Sequence, residues 1–132
     1  KSQLYLINQL YLDLSFCEKT IILREIKSKI SSYRQQDIDK QIYNPNTIIT
    51  DEEVIEKLVT SKLRCIYCKC NLHIVYKNQR EPTQWTLDRI NNNLDHSNNN
   101  TVIGCLKCNL QRRKQNMKDF KFTKQLSIIK NN

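Results

Sequence analysis

Four cysteines stand out as the residues best spaced for chemistry. Cys65 and Cys68 form one C-x-x-C pair, and Cys105 and Cys108 form a second, a few tens of residues further on. Each pair turns two sulfurs toward one point, and two pairs together complete a tetrahedral four-cysteine zinc site. The bland alternative is four unrelated buried thiols, which leaves the paired spacing unexplained. Zinc thiolates require reducing conditions, so the expected setting is the nucleus, the cytosol or an organelle matrix, and not the secreted space. Cys70 falls outside the spacing and reads as a spare thiol, and Cys17 as a core residue of the first helix.

The stretch WTLDRINNNLDHSNNNTVIGCLKCNLQRR, Trp85 to Arg113, poses a second question. Its two asparagine triplets look like a loop, because asparagine tolerates left-handed backbone. The aspartates, the histidine and the cysteine pair around them look like a metal site.

The elements that must position these residues follow from periodicity. Leu4, Ile7, Tyr11 and Leu14 recur at helical spacing, as do Ile22, Ile26, Ile30 and Tyr33, which predicts amphipathic helices over roughly 3–15 and 19–36. Pro45 marks a connection. Thr50 with Glu53 three residues later forms a capping box and starts a third helix with Val54, Leu58 and Val59 on its apolar face. Asp51, Glu52 and Glu53 favour the positive end of its dipole. Beyond the first knuckle, Leu72–Tyr76 reads as a strand, and His73 within it as structural. WTLDRI and TVIG read as two more strands joined by the asparagine-rich loop. The second knuckle then enters a helix over NLQRRKQNMKDF, with Leu110, Met117 and Phe120 on one side, followed by a short basic tail. The expected organisation is a helical segment over 1–48, a zinc-braced α+β domain over 49–118 and a tail over 119–132. A unit that small buries little core, so structural zinc would supply much of its folding free energy, on the order of 10 kcal/mol.

The chain of 132 residues carries a net charge of +9, unevenly placed. Residues 62–132 hold 14 Lys+Arg against 4 Asp+Glu; residues 1–61 hold 8 against 9. A basic half beside a neutral one points to a polyanion-binding module joined to a protein-packing segment, whose helices are the expected site for protein partners. Hydrophobic content of 39% argues against disorder. No apolar run is long enough to span a membrane, and none is expected as a partner. The chain begins with Lys, as expected of a fragment or a processed product, and carries no intact targeting signal.

The residues LDRI, then Asn100, TVIG, Cys105, Cys108 and Asn109 resemble the HNH endonuclease motif of the ββα-metal type, in the form braced by a zinc on four cysteines. The resemblance covers roughly residues 50–118 and reaches back to the capped helix before the first knuckle. It implies that Asp88 at the end of the first strand and Asn109 just after the second cysteine pair ligate a catalytic metal. Such hard oxygen donors suit Mg2+ or Mn2+. It also implies that Asn100 is the family's middle asparagine. The family's general-base histidine would follow the aspartate directly, and here Arg89 stands in that place. A guanidinium stays protonated and cannot act as a base. His96 in the loop becomes the candidate base, with an ordinary pKa near 6.5, and Arg89 a stabiliser of phosphate charge. Arg89, Lys107, Arg112, Arg113 and Lys114 are the candidate nucleic-acid contacts, with DNA ahead of RNA.

Each role has a plainer alternative. Asp88 pairs with Arg89, Asn109 only caps its helix, His96 is a solvated loop residue, the Arg112–Lys114 run is a solvated face, and Trp85 is core rather than a stacking platform. Three functions therefore compete: a metal-dependent endonuclease, a catalytically inactive zinc-binding subunit of a larger assembly, and a regulator of a partner enzyme without nucleic-acid contact.

Overall fold

A computed structural model describes residues 2–130, with the side chain of Lys130 left aside. The architecture is α+β. Helices α1 (Gln3–Tyr11), α2 (Lys19–Asp39) and α3 (Asp51–Thr60) precede strand β1 (Trp85–Arg89), strand β2 (Thr101–Cys105), helix α4 (Leu106–Arg112) and helix α5 (Met117–Lys130). The capping box of α3 forms as read: Glu53 N–H donates to the Thr50 hydroxyl, and the Thr50 N–H to the Glu53 carboxylate. The two strands pair antiparallel in the register Trp85 with Cys105 through Arg89 with Thr101.

One continuous core joins the N-terminal helices to the hairpin, and includes Ile7, Ile26, Leu58, Tyr67, Trp85 and Phe120. The Ile22, Ile26, Ile30 stripe of α2 is buried as its spacing predicts, and so is the lone tryptophan. Helix α1 is shorter than expected, because Asp13 adopts the left-handed conformation (φ 56°) that closes a helix C-terminus. Tyr11 and Leu14 are exposed, and the inward residues are Leu6, Ile7 and Leu10. Cys17 lies outside the helix and is exposed, not part of the core.

Leu72–Tyr76 is not a strand of the sheet. Its alternation is real, since Leu72 and Ile74 are buried while His73 and Val75 are exposed. Its backbone bonding is partly met by a side chain: the Gln3 amide oxygen accepts from the Ile74 and Val75 N–H groups, and the Gln3 amide nitrogen donates to the Val75 carbonyl. In backbone pairing His73 makes an isolated bridge to Gln84, and its ring Nδ1 lies 2.7 Å from the Thr83 hydroxyl.

The helix expected over 109–120 is two helices. It starts earlier, at Leu106, and stops where Arg113 takes φ 52°. Asn116 opens α5 by accepting from the Lys118 and Asp119 N–H groups, and that helix runs on through the expected tail. Leu110 is therefore exposed, while Phe120 packs edge-on against Tyr67 at 5.0 Å.

Candidate functional site

The four cysteine sulfurs converge. Cys65, Cys68, Cys105 and Cys108 bring their Sγ atoms within 4.8 Å of one another, and Cys68 and Cys105 stand 3.8 Å apart. A tetrahedron with metal–sulfur bonds of about 2.3 Å has edges of about 3.8 Å, while a disulfide would need about 2 Å. The knuckle backbone turns toward the sulfurs: the Tyr67 N–H donates to Cys65 Sγ and the Cys108 N–H to Cys105 Sγ. Hydrogen bonding from Cys105 holds the Cys65 thiol far below the usual range, while donation to Cys105 pushes Cys108 far above it. All four carry negative charge together only with a cation among them, so the cluster is placed to hold a metal ion such as zinc. Cys70 is not among the four.

The cluster draws on three elements at once. Cys105 ends β2 and caps α4, while Cys65 and Cys68 lie in the first knuckle, so a bound ion would join all three. On the far side of this joint lies a cavity of about 1160 Å3. Asp88, Arg89, His96, Asn109, Arg113 and Lys114 all line it, and so do Lys29 and Lys40 from α2 and the residue after it. Lys107 is exposed and lies away from this cavity.

Asp88 sits near the end of β1, buried, on the same face as Thr86 two residues earlier. Asn109 Nδ2 donates to the Thr86 hydroxyl at 3.1 Å, which in turn donates to the Gly104 carbonyl. The Asn109 amide is thereby drawn to the strand face that carries Asp88. The Asp88 carboxylate accepts from the Tyr67 hydroxyl and from Arg112 Nη1, both on Oδ2. Burial beside this carboxylate raises the Tyr67 hydroxyl well above its usual range, so it remains a donor. The plain pairing of Asp88 with Arg89 does not occur; Arg112 takes that place. Arg112 is buried, and it also donates to the carbonyls of Arg89, Ile90 and Gln115. Its guanidinium is engaged inside the protein, so of the expected run only Arg113 and Lys114 present charge to solvent.

The asparagine loop is built, not loose. Asn100 is buried and donates to the Asn91 and Asp95 carbonyls while accepting from the Asn91 N–H. Arg89 Nη1 donates to the Asn92 and Leu94 carbonyls. These bonds fold the loop back toward α2, and the Ile49 N–H donates to the His96 carbonyl. His96 is consequently not a solvated loop residue: it is 3% exposed and its ring stacks on Tyr33 with centroids 4.5 Å apart.

Sequence reasoning missed the residue that holds it. Asp37 of α2 is fully buried, and its two oxygens engage His96 at Nδ1 (2.7 Å) and at the backbone N–H (2.9 Å). A signal was available. Ile22, Ile26, Ile30 and Tyr33 define the inward stripe of α2, and Asp37 is its next position, four residues on. A carboxylate at a core position demands a buried partner.

No family model, no curated protein and no solved structure matches this chain. The reading of the site therefore rests on its own geometry. No helix among the described residues is long and apolar enough to cross a membrane.

Proposed function

We propose that the chain is a nucleic-acid-binding HNH-type domain that acts as a divalent-metal-dependent phosphodiester endonuclease. The observation that carries this reading is one cavity lined by a carboxylate (Asp88), an amide (Asn109), a buried imidazole (His96) and exposed cations (Arg113, Lys114). Zinc is the proposed occupant of the cysteine cluster, since soft thiolates in a tetrahedron suit it. The order hairpin, knuckle, short helix supports the ββα-metal assignment.

In this reading Asp88 and Asn109 hold Mg2+ or Mn2+ through hard oxygens, and the Asp88 contacts on Oδ2 leave Oδ1 for that role. A divalent ion there would offset charge on the leaving oxygen. Neutral His96 accepts the proton of the attacking water. Arg89, Arg113, Lys114 and Lys40 attract and seat the phosphate backbone. DNA is the proposed substrate ahead of RNA.

One observation favours the second reading, an inactive zinc-binding subunit of a larger assembly. Asp88 already has a buried guanidinium partner, and Asn109 a hydroxyl partner. The two separate by experiment. Supercoiled plasmid incubated with the protein and Mg2+ or Mn2+ is expected to be nicked, and Asp88→Ala to abolish nicking. Nicking no faster than that of Asp88→Ala would leave only the binding role.

A further inference from the structure

The charged and aromatic groups around His96 come from two parts of the chain. Asp37 belongs to α2 and Lys40 to its C-terminal cap, Arg89 belongs to β1, and Tyr33 of α2 covers one face of the ring. Among them only Asp37 is bonded to the ring, at Nδ1. Its other oxygen accepts from the His96 backbone N–H, so the carboxylate grips ring and backbone together.

We infer that Asp37 is the positioning residue of His96, fixing the ring in the Nδ1–H tautomer and reserving Nε2 as the lone pair for the cavity. The chemistry is restrictive. An ionised carboxylate only accepts, so a nitrogen 2.7 Å from it carries a proton. A neutral imidazole has one N–H, and Nε2 is then the acceptor. Burial also holds the His96 pKa below its ordinary value, which keeps the ring neutral at neutral pH. Tyr33 stacks on one face of the ring, and its own hydroxyl is anchored by the Leu87 N–H on β1. The catalytic consequence rests on the endonuclease reading above; the tautomer does not.

The test uses an exchange of nearly identical shape. In Asp37→Asn the His96 backbone N–H, which can only donate, claims the carbonyl oxygen. The amide NH2 then faces Nδ1, which must accept, and the ring proton moves to Nε2. The same exchange in serine-protease triads leaves geometry intact and lowers turnover about 10^4-fold through the wrong tautomer. The chain has two histidines, so 15N-histidine labelling with His73→Gln isolates the signal of His96. Long-range proton–nitrogen correlation at neutral pH should show Nε2 unprotonated in the parent chain and protonated in Asp37→Asn. A protonated Nε2 in the parent overturns the assignment, and this readout needs no variant at position 37 to fold.

Activity separates the two proposals. If the parent nicks plasmid, Asp37→Asn should be about 10^2–10^4-fold slower and should add no further loss in a His96→Ala background. Equal loss in both backgrounds would make Asp37 structural only. A parent that shows the expected tautomer but does not nick would sink the endonuclease reading and leave the positioning by Asp37 standing.

Discussion

Arg112 and Asp88 meet as a buried ion pair, Nη1 to Oδ2 at 2.9 Å, with side chains 2% and 7% exposed. The pair ties α4 to β1 on the cavity side of the joint, while an ion bound in the cysteine cluster would tie α4 to β2 and the first knuckle on the other. Arg112→Met keeps much of the apolar stem but leaves the buried Asp88 carboxylate with the Tyr67 hydroxyl alone and without its countercharge, and takes a donor from three carbonyls. The expected loss is about 3–5 kcal/mol, read from urea unfolding. A loss under about 1 kcal/mol would show that the pair contributes little.

Metal removal should be more severe. The expected content is one zinc per chain by elemental analysis. A strong chelator in reducing buffer should abolish the near-ultraviolet circular dichroism of Trp85, which is buried and pairs with Cys105 across the hairpin. Cys108→Ser should do the same without chelator. A retained signal in both experiments would remove the cluster from the folding account.

His96 should make stability fall as the solution is acidified. Its pKa is lowered in the folded chain, chiefly by burial. Between that lowered value and about 6.5 the unfolded chain binds more protons than the folded one, so stability rises with pH across this window. The contribution is fully present above about pH 6.5 and is lost as pH falls through the folded pKa. Urea unfolding from pH 7.5 downward should show this slope, and His96→Gln should flatten it. An unchanged slope in the variant would assign the effect elsewhere.

Four helices end on residues of positive φ that are not glycine: Asp13, Gln41, Lys62 and Arg113, with φ of 56°, 61°, 55° and 52°. The left-handed conformation costs such a residue about 1–2 kcal/mol, partly offset by the greater freedom that glycine has when unfolded. Gln41→Gly and Lys62→Gly should each raise stability by about 0.5–1 kcal/mol, seen as a higher midpoint in thermal unfolding. Destabilisation would mean that the side chains make contacts that outweigh the strain.

The parts of the molecule that could be read from sequence are those where local chemistry decides. The cysteine spacing located all four sulfurs, Thr50 with Glu53 located the start of α3, and the hairpin reading of WTLDRI and TVIG around the asparagine-rich loop located both strands. The misreadings arose where a distant group decides. Leu72–Tyr76 alternates like a strand, but the side chain of Gln3 from α1 occupies its edge. Arg112 was expected to contact nucleic acid, and instead Asp88 on another element draws it into the interior. His96 looked exposed among asparagines, and Asp37 pulled it inward. The break before α5 was legible in principle, since Asn116 followed by Asp119 in the first turn is a helix start.

The Asp37–His96 contact joins residues 59 apart in the chain. In folding order such a contact belongs to the late events, because distant segments close after local turns, helices and hairpins have formed. The knuckles and the short-range hairpin can assemble first and present Arg113 and Lys114 just beyond α4. Only the docking of α2 then sets the histidine ring. Under the proposed reading, each molecule acquires the ability to hold nucleic acid before it acquires the ability to cut it. Under the same reading, a chain in which α2 has not yet docked would be a binder without being a nuclease.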